Sequence, residues 1–375
     1  MAPYYSFGIE LEMIVDPHKV RSPLKRALYY EKLAKSLRAR GLKAQFDDCT
    51  GDYRKHAEQY DKGWWIGRDG SLGDPGHPGI PLEAVSPILT TKDDWELQME
   101  SFWEAQLAVF HMPRKSGLCG THVHVTYQNS KRWTTAQLRN IALGVLYFEN
   151  QIQEMLPAAR RNASYCQRNT KNSQWLRSKI ARYRRDNWQE LRTVVAQADR
   201  AQVVSIMQSD RKVLWNFENA GTSGSGTVEF RGGRGMRAPV RTKRWIAFTV
   251  AIIEMFLRLD MAGTGRFPSM PTTQALYEDI KRCSRDLALR QYLPDGYRIL
   301  NESPRQHDAK HDEDDDSGSS MFDVSSDVYR GLEAMKNAWR RNSYSVEERQ
   351  ESRPFDIGPA ASEVTRNVLR KIRRQ

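Results

Sequence analysis

Several features are scarce or missing in this sequence, and each shortage excludes something. No apolar run approaches the length of a membrane span: the strongest, "WIAFTVAIIEMFLRL" from Trp245, is short and flanked by charge. The opening "MAPYYSFGIE" lacks the basic start and apolar stretch of a secretory leader, so a soluble, cytoplasmic protein is expected. Cysteine is sparse. Cys49, Cys119, Cys166 and Cys283 are far apart and form no C-x-x-C pair, which argues against a structural zinc site or a disulfide framework and reads as free thiols. No glycine-rich strand-to-helix turn marks a dinucleotide or P-loop unit, and no internal repeat is visible.

Negative charge is in deficit: 58 Lys and Arg against 46 Asp and Glu leave a formal charge of +12 over 375 residues. Such a balance points to anionic partners, whether nucleotide phosphates, carboxylates or nucleic acid. Its distribution is uneven. Residues 158–212 carry 13 Lys or Arg against 4 Asp or Glu with helical spacing, either a solvated helix face or an anion-binding wall. By contrast "HDAKHDEDDDSGSS" at 307–320 is acidic.

Periodicity predicts helices over Leu24–Arg40, closed by Gly41, over Asp93–Phe110, from Thr134 to before Pro157, and over Arg241–Leu259. Short strands are expected at 43–48, 64–68, 81–86, 118–127, 213–217 and 226–231. An antiparallel sheet with helices on one side, an α+β fold, suits this order better than a doubly wound parallel sheet. Residues 301–327 combine acid, Ser and Gly and are expected to be a disordered insertion; 328–375 read as a helical segment with a basic tail.

What is present is a set of strands with chemistry on one face. In "FGIELEMIV", counting by twos sends Ile9, Leu11, Met13 and Val15 one way and Gly8, Glu10 and Glu12 the other. "CGTHVHVTY" separates His122 and His124 from Val123 and Val125, and "GTVEFRGGRG" separates Thr227, Glu229 and Arg231 from Val228 and Phe230. Any one such pair is compatible with an ordinary wet strand face. Three on separate strands are hard to explain as coincidence. Asp69, at an Asp-Gly turn, and Glu83, half-buried between Leu82 and Val85, add two more carboxylates. Carboxylates with one imidazole suit Mg²⁺ or Mn²⁺, whereas zinc would recruit more imidazole or thiolate. An arginine on the same face suits a metal-bound nucleotide, where it neutralises charge on a transferred phosphoryl group.

The ordered set "FGIELEM", "DGSL" leading to "LEAVSP", "GTHVHV" and "GTVEFRGGRG" resembles the amidoligase family, which is similar to glutamine synthetase and γ-glutamylcysteine ligase. That resemblance implies a catalytic domain over 1–300, built on a curved antiparallel sheet with ATP and metal on its concave face and helices behind. It implies Glu10, Glu12, Asp69, Glu83, His122 and Glu229 as metal ligands, with Arg231 steadying the phosphoryl group and Glu229 and His122 completing the catalytic set. Nucleotide contacts fall to Arg231, His122 and His124, and "RKVLWNFEN" offers Arg211 and Asn216 as contacts to nucleotide or substrate, or as structure. Arg234 and Arg237 are candidates for the substrate carboxylate, or solvent-facing charges. The glycine-rich "GTSGSG" at 221–226 either closes over phosphate or links two strands.

The expected activity is an ATP-dependent ligase joining a small-molecule or peptide carboxylate to an amine through an acyl phosphate. One alternative is phosphoryl transfer to another acceptor, such as a guanidino group. Another is nucleic-acid binding through 158–212 and the "RGGRG" turn, which leaves the strand-borne pairs unexplained.

Overall fold

A computed structural model describes residues 3–50, 63–161, 163–182, 188–263 and 269–301. The expectations for 301–327 and 328–375 therefore lie, beyond Asn301, outside the described residues. Eight strands form one open sheet: β1 (Tyr5–Val15), β2 (Ala44–Phe46), β3 (Trp64–Gly67), β4 (Ile80–Val85), β5 (Leu89–Thr90), β6 (Gly120–Tyr127), β7 (Trp215–Asn216) and β8 (Val228–Arg234). Their spatial order is β2-β3-β4-β1-β6-β8-β7, with β5 also pairing β1. Every pair is antiparallel except β2 with β3, which run parallel; the long connection between them permits the crossover that parallel pairing needs.

Helices α1 (Arg26–Ala39), α2 (Trp95–Val109) and α3 (Thr135–Tyr147) lie near their expected positions. Gly41 sits at φ +80°, the left-handed position that stops the chain after α1. Thr134 caps α3 reciprocally with Gln137, as its sequence suggests. The helix expected to run on to Pro157 is instead two, broken at Phe148 before α4 (Glu149–Met155). There Phe148 stacks on Phe256, with ring centroids 6.1 Å apart. The basic stretch folds as α5 (Ala158–Arg161), α6 (Asn169–Asn172), α7 (Gln174–Arg182), α8 (Trp188–Gln197) and α9 (Arg200–Met207). Then come the long α10 (Pro239–Leu259), opened by Pro239, and α11 (Thr273–Asp286), which sequence periodicity had not singled out.

The sheet has two unlike faces. Tyr5, Phe7, Ile9, Leu11, Met13 and Val15 of β1 are buried in one apolar core with Val123, Val125, Val228 and Phe230. Helices α1, α2, α3 and α10 feed the same core; Trp64 stacks on Phe102 of α2 at 4.4 Å, and Phe230 lies against Trp245 and Phe248 of α10. Burying each such side chain stabilises by roughly 1.5–3 kcal/mol, so this face fixes the strand register. Once it is fixed, the alternate residues must all emerge on the opposite face.

Candidate active site

Register decides which of those residues meet. Glu12 stands opposite Glu83 and Glu10 opposite His122, while Glu229 pairs with His124 on one side and Asn216 on the other. Between Thr121 and Val123 the ladder slips by one residue, so Arg231 and Gly232 of β8 both lie against His122 alone. Such a bulge re-aims the side chains beside it. The face thus reads, across β4, β1, β6, β8 and β7, Glu83, Glu12 with Glu10, His122 with His124, Glu229 with Arg231, and Asn216.

The side chains converge, with polar atoms of neighbouring groups 2.6–3.7 Å apart. His122 Nδ1 lies 3.1 Å from Glu10 Oε2 and 3.4 Å from Glu229 Oε1, and its Nε2 lies 3.7 Å from Glu12 Oε1. His124 Nε2 sits between Glu10 Oε1 at 3.2 Å and Glu229 Oε1 at 3.7 Å. Arg231 donates to Glu229 Oε1 at 2.6 Å. Glu12 Oε2 accepts the backbone N–H of Gly120 at 2.6 Å. Asp69 is both turn residue and neighbour of the cluster: it accepts from Ser71 N and Ser71 Oγ, each at 2.6 Å, and hydrogen-bonds with Glu12.

Glu10, Glu12, Asp69, Glu83 and Glu229 are all buried, an arrangement that ordinary packing does not favour. Burial, and then the charge of Asp69, push the Glu12 carboxyl up to about 8. Burial pushes Glu229 up too, but Arg231 with His124 and His122 outweighs it and holds that carboxyl down at about 2. Burial and the neighbouring Arg231 lower His122 to about 4, so at neutral pH it is an uncharged imidazole. With Nδ1 donating to Glu10, its Nε2 keeps a free lone pair toward Glu12.

The donor set fits a hard divalent cation. One oxygen each of Glu10 and Glu229 and one nitrogen of His124 lie within 4.8 Å of one another. Mg²⁺ sites draw on carboxylate oxygens of this kind, and an imidazole nitrogen beside them suits Mn²⁺ as well. Of the two histidines it is His124, marked in the sequence as a nucleotide contact, that shares this trio, while His122 bridges Glu10 and Glu12.

The remaining sequence candidates lie at differing positions relative to this cluster. Arg211 is exposed in the turn before β7. Arg234 is half-buried opposite Gly120, and Arg237 donates to the Pro113 carbonyl at 2.9 Å. Asn216 is buried and directs its amide at Glu229 Oε2, 2.7 Å away. The carbonyls of Gly221 and Thr222 are taken by Arg132, at 3.1 and 2.7 Å, which ties the glycine-rich segment down as a link between strands. The basic stretch is in part internal: Arg160 and Arg192 are buried, and Arg168 and Arg200 donate within the fold.

Arg160 is the participant that sequence reasoning missed. It donates to the Arg231 carbonyl at 2.7 Å, and its charge acts on Glu12. A Cβ on Gly120 would lie 3.0 Å from Arg160 Nη2, 3.0 Å from His122 Nε2 and 3.1 Å from Glu12 Oε2. Nothing in "LPAARRN" distinguishes it from its basic neighbours.

Curated proteins gave no match to the chain. A family described as "Putative amidoligase enzyme" matches residues 3–253, a span that includes every residue of the cluster. No helix among the described residues is long and apolar enough to cross a membrane. By that match over most of its length, the chain belongs to the amidoligase family.

Proposed function

We propose that the protein is an ATP-dependent carboxylate–amine ligase that uses Mg²⁺ or Mn²⁺ and forms its amide through an acyl phosphate. The observation that carries this reading is the trio of Glu10, His124 and Glu229 donors within 4.8 Å, with Arg231 bonded to one of them. The chemical logic is that a carboxylate is a poor acyl donor in water. A substrate carboxylate oxygen attacks the terminal phosphorus of ATP, the bond to ADP breaks, and a phosphate leaving group is created on the acyl carbon. The amine nitrogen then bonds that carbon, gives up a proton to solvent, and inorganic phosphate departs.

A bound divalent cation supplies charge neutralisation on the phosphate oxygens. Glu10, His124 and Glu229 would hold it, and Glu12, Asp69 and Glu83, with His122 Nε2 3.7 Å from Glu12, offer a second group of hard donors. Arg231 stays protonated, since Glu229 and its acidic neighbours outweigh the effect of burial, and it would meet charge on the phosphoryl group as it transfers. Small-molecule or peptide acids and amines are the substrates this chemistry requires.

Nucleotide product analysis tests the reading: protein, ATP and Mg²⁺ with pooled acids and amines, beside Glu12→Gln. ADP and phosphate that depend on both pools, and that vanish in a folded Glu12→Gln, are expected. AMP and pyrophosphate would mean adenylation and overturn the mechanism, and a stable phosphorylated product without amide would mark a phosphotransferase.

A further inference from the structure

Glu229 has two oxygens with different partners. Oε1 faces Arg231, His122 and His124; Oε2 accepts from Asn216 Nδ2 at 2.7 Å. Behind Asn216 a second buried amide follows. Gln208 Nε2 donates to Asn216 Oδ1 at 2.7 Å. Each amide orientation is fixed by a backbone N–H, which can only donate: Phe217 N reaches Gln208 Oε1 at 2.6 Å, and Glu218 N reaches Asn216 Oδ1 at 3.0 Å. Neither amide can flip without setting two like groups face to face.

The two amides are themselves anchored at one place. Asn169 Nδ2 donates to the carbonyls of Met207 and Trp215, at 3.0 and 2.7 Å, and its Oδ1 accepts from Trp215 N at 3.2 Å. Met207 and Trp215 are the residues immediately before Gln208 and Asn216. Asn169, Gln208 and Asn216 are all buried. The end of α9 and the start of the β7 strand pair are thus clamped so that the amides meet and point at one carboxylate oxygen.

We propose that Gln208 and Asn216 form a positioning relay that occupies Glu229 Oε2 and so directs Oε1 toward the cation site. The relay assigns Asn216 a role behind the carboxylate and not on the nucleotide. This inference rests on the metal reading above; partners that orient a ligating carboxylate typically carry a 10–100-fold share of metal affinity by order of magnitude, about the size of effect expected here.

The test is Mn²⁺ binding followed by electron paramagnetic resonance, without nucleotide or substrate, on the wild type, Asn216→Asp and Gln208→Glu. Asn216→Asp keeps the shape but turns the donor into an acceptor against Glu229 Oε2. It should weaken Mn²⁺ binding roughly 10–100-fold with unchanged circular dichroism. Gln208→Glu, one link further out, should weaken it in the same direction by a smaller factor, and it serves should Asn216→Asp not fold. Folded variants that bind Mn²⁺ as the wild type does would overturn the relay while leaving the metal site standing. A wild type that binds no Mn²⁺ would overturn the metal reading and the relay together.

Discussion

At the scale of single residues, the site depends on how little space separates its groups. Gly120 lends its N–H to Glu12 Oε2 and leaves open the space that a Cβ would fill, 3.0 Å from both Arg160 Nη2 and His122 Nε2. Gly120→Ala therefore needs no unusual backbone conformation, yet it must push three site groups outward by a few tenths of an ångström. Misplacement of catalytic groups by about 1 Å can lower turnover by ~10²-fold, so a loss of roughly tenfold is expected here. ADP release should fall while the melting temperature moves little. An unchanged rate would show that Arg160, His122 and Glu12 can yield without consequence, and would remove the tight contact among them from the account.

At the scale of elements, the strands were legible in the sequence and their alignment was not. A period of two is a property of each strand alone, so the faces of Glu10 with Glu12, of His122 with His124, and of Glu229 with Arg231 could be read directly. The slip between Thr121 and Val123 is a property of two strands together, and it decides that Arg231 lies beside His122 while His124 faces Glu229. Arg160 and Gln208 escaped for a related reason: α5 has four residues and Gln208 terminates α9, and neither has a periodic pattern to mark its direction. Helix packing shows the same dependence on partners. Gly144, in the middle of α3, carries the ring of Phe256 from α10 against its backbone, and a Cβ there would overlap the ring. By propensity, Gly144→Ala should stabilise α3 by about 1 kcal/mol. Overpacking a close-packed core destabilises by about 1–3 kcal/mol, and here backbone and ring must both move. Net destabilisation is expected, read as a lower urea midpoint; a raised midpoint would show that the two helices can part at no cost.

At the scale of the whole molecule, the core on one face of the sheet has to sustain a crowd of carboxyls on the other, so stability and function should pull apart. Glu12 states the conflict most clearly. Its carboxyl is pushed from 4.5 up to about 8, so the stabilising contribution of its protonated form is complete below the unfolded value and fades as pH rises through the folded one. Glu12→Gln mimics the protonated state and can still accept the Gly120 N–H. In EDTA the variant should therefore melt higher than the wild type, by an order of a few °C, and the gap should widen from pH 5 to pH 8. Added Mg²⁺ should reverse the ranking. A ligand at a hundredfold excess over its Kd stabilises the native state by about 2.7 kcal/mol, and only the wild type keeps the full donor set that would collect it. Scanning calorimetry of both proteins at pH 5, 7 and 8, with EDTA and then with Mg²⁺, separates the two effects. A variant less stable than the wild type in EDTA at every pH would mean that the charge on Glu12 is already balanced by Arg160 and Arg231, and the site would not need a cation to hold its acids together.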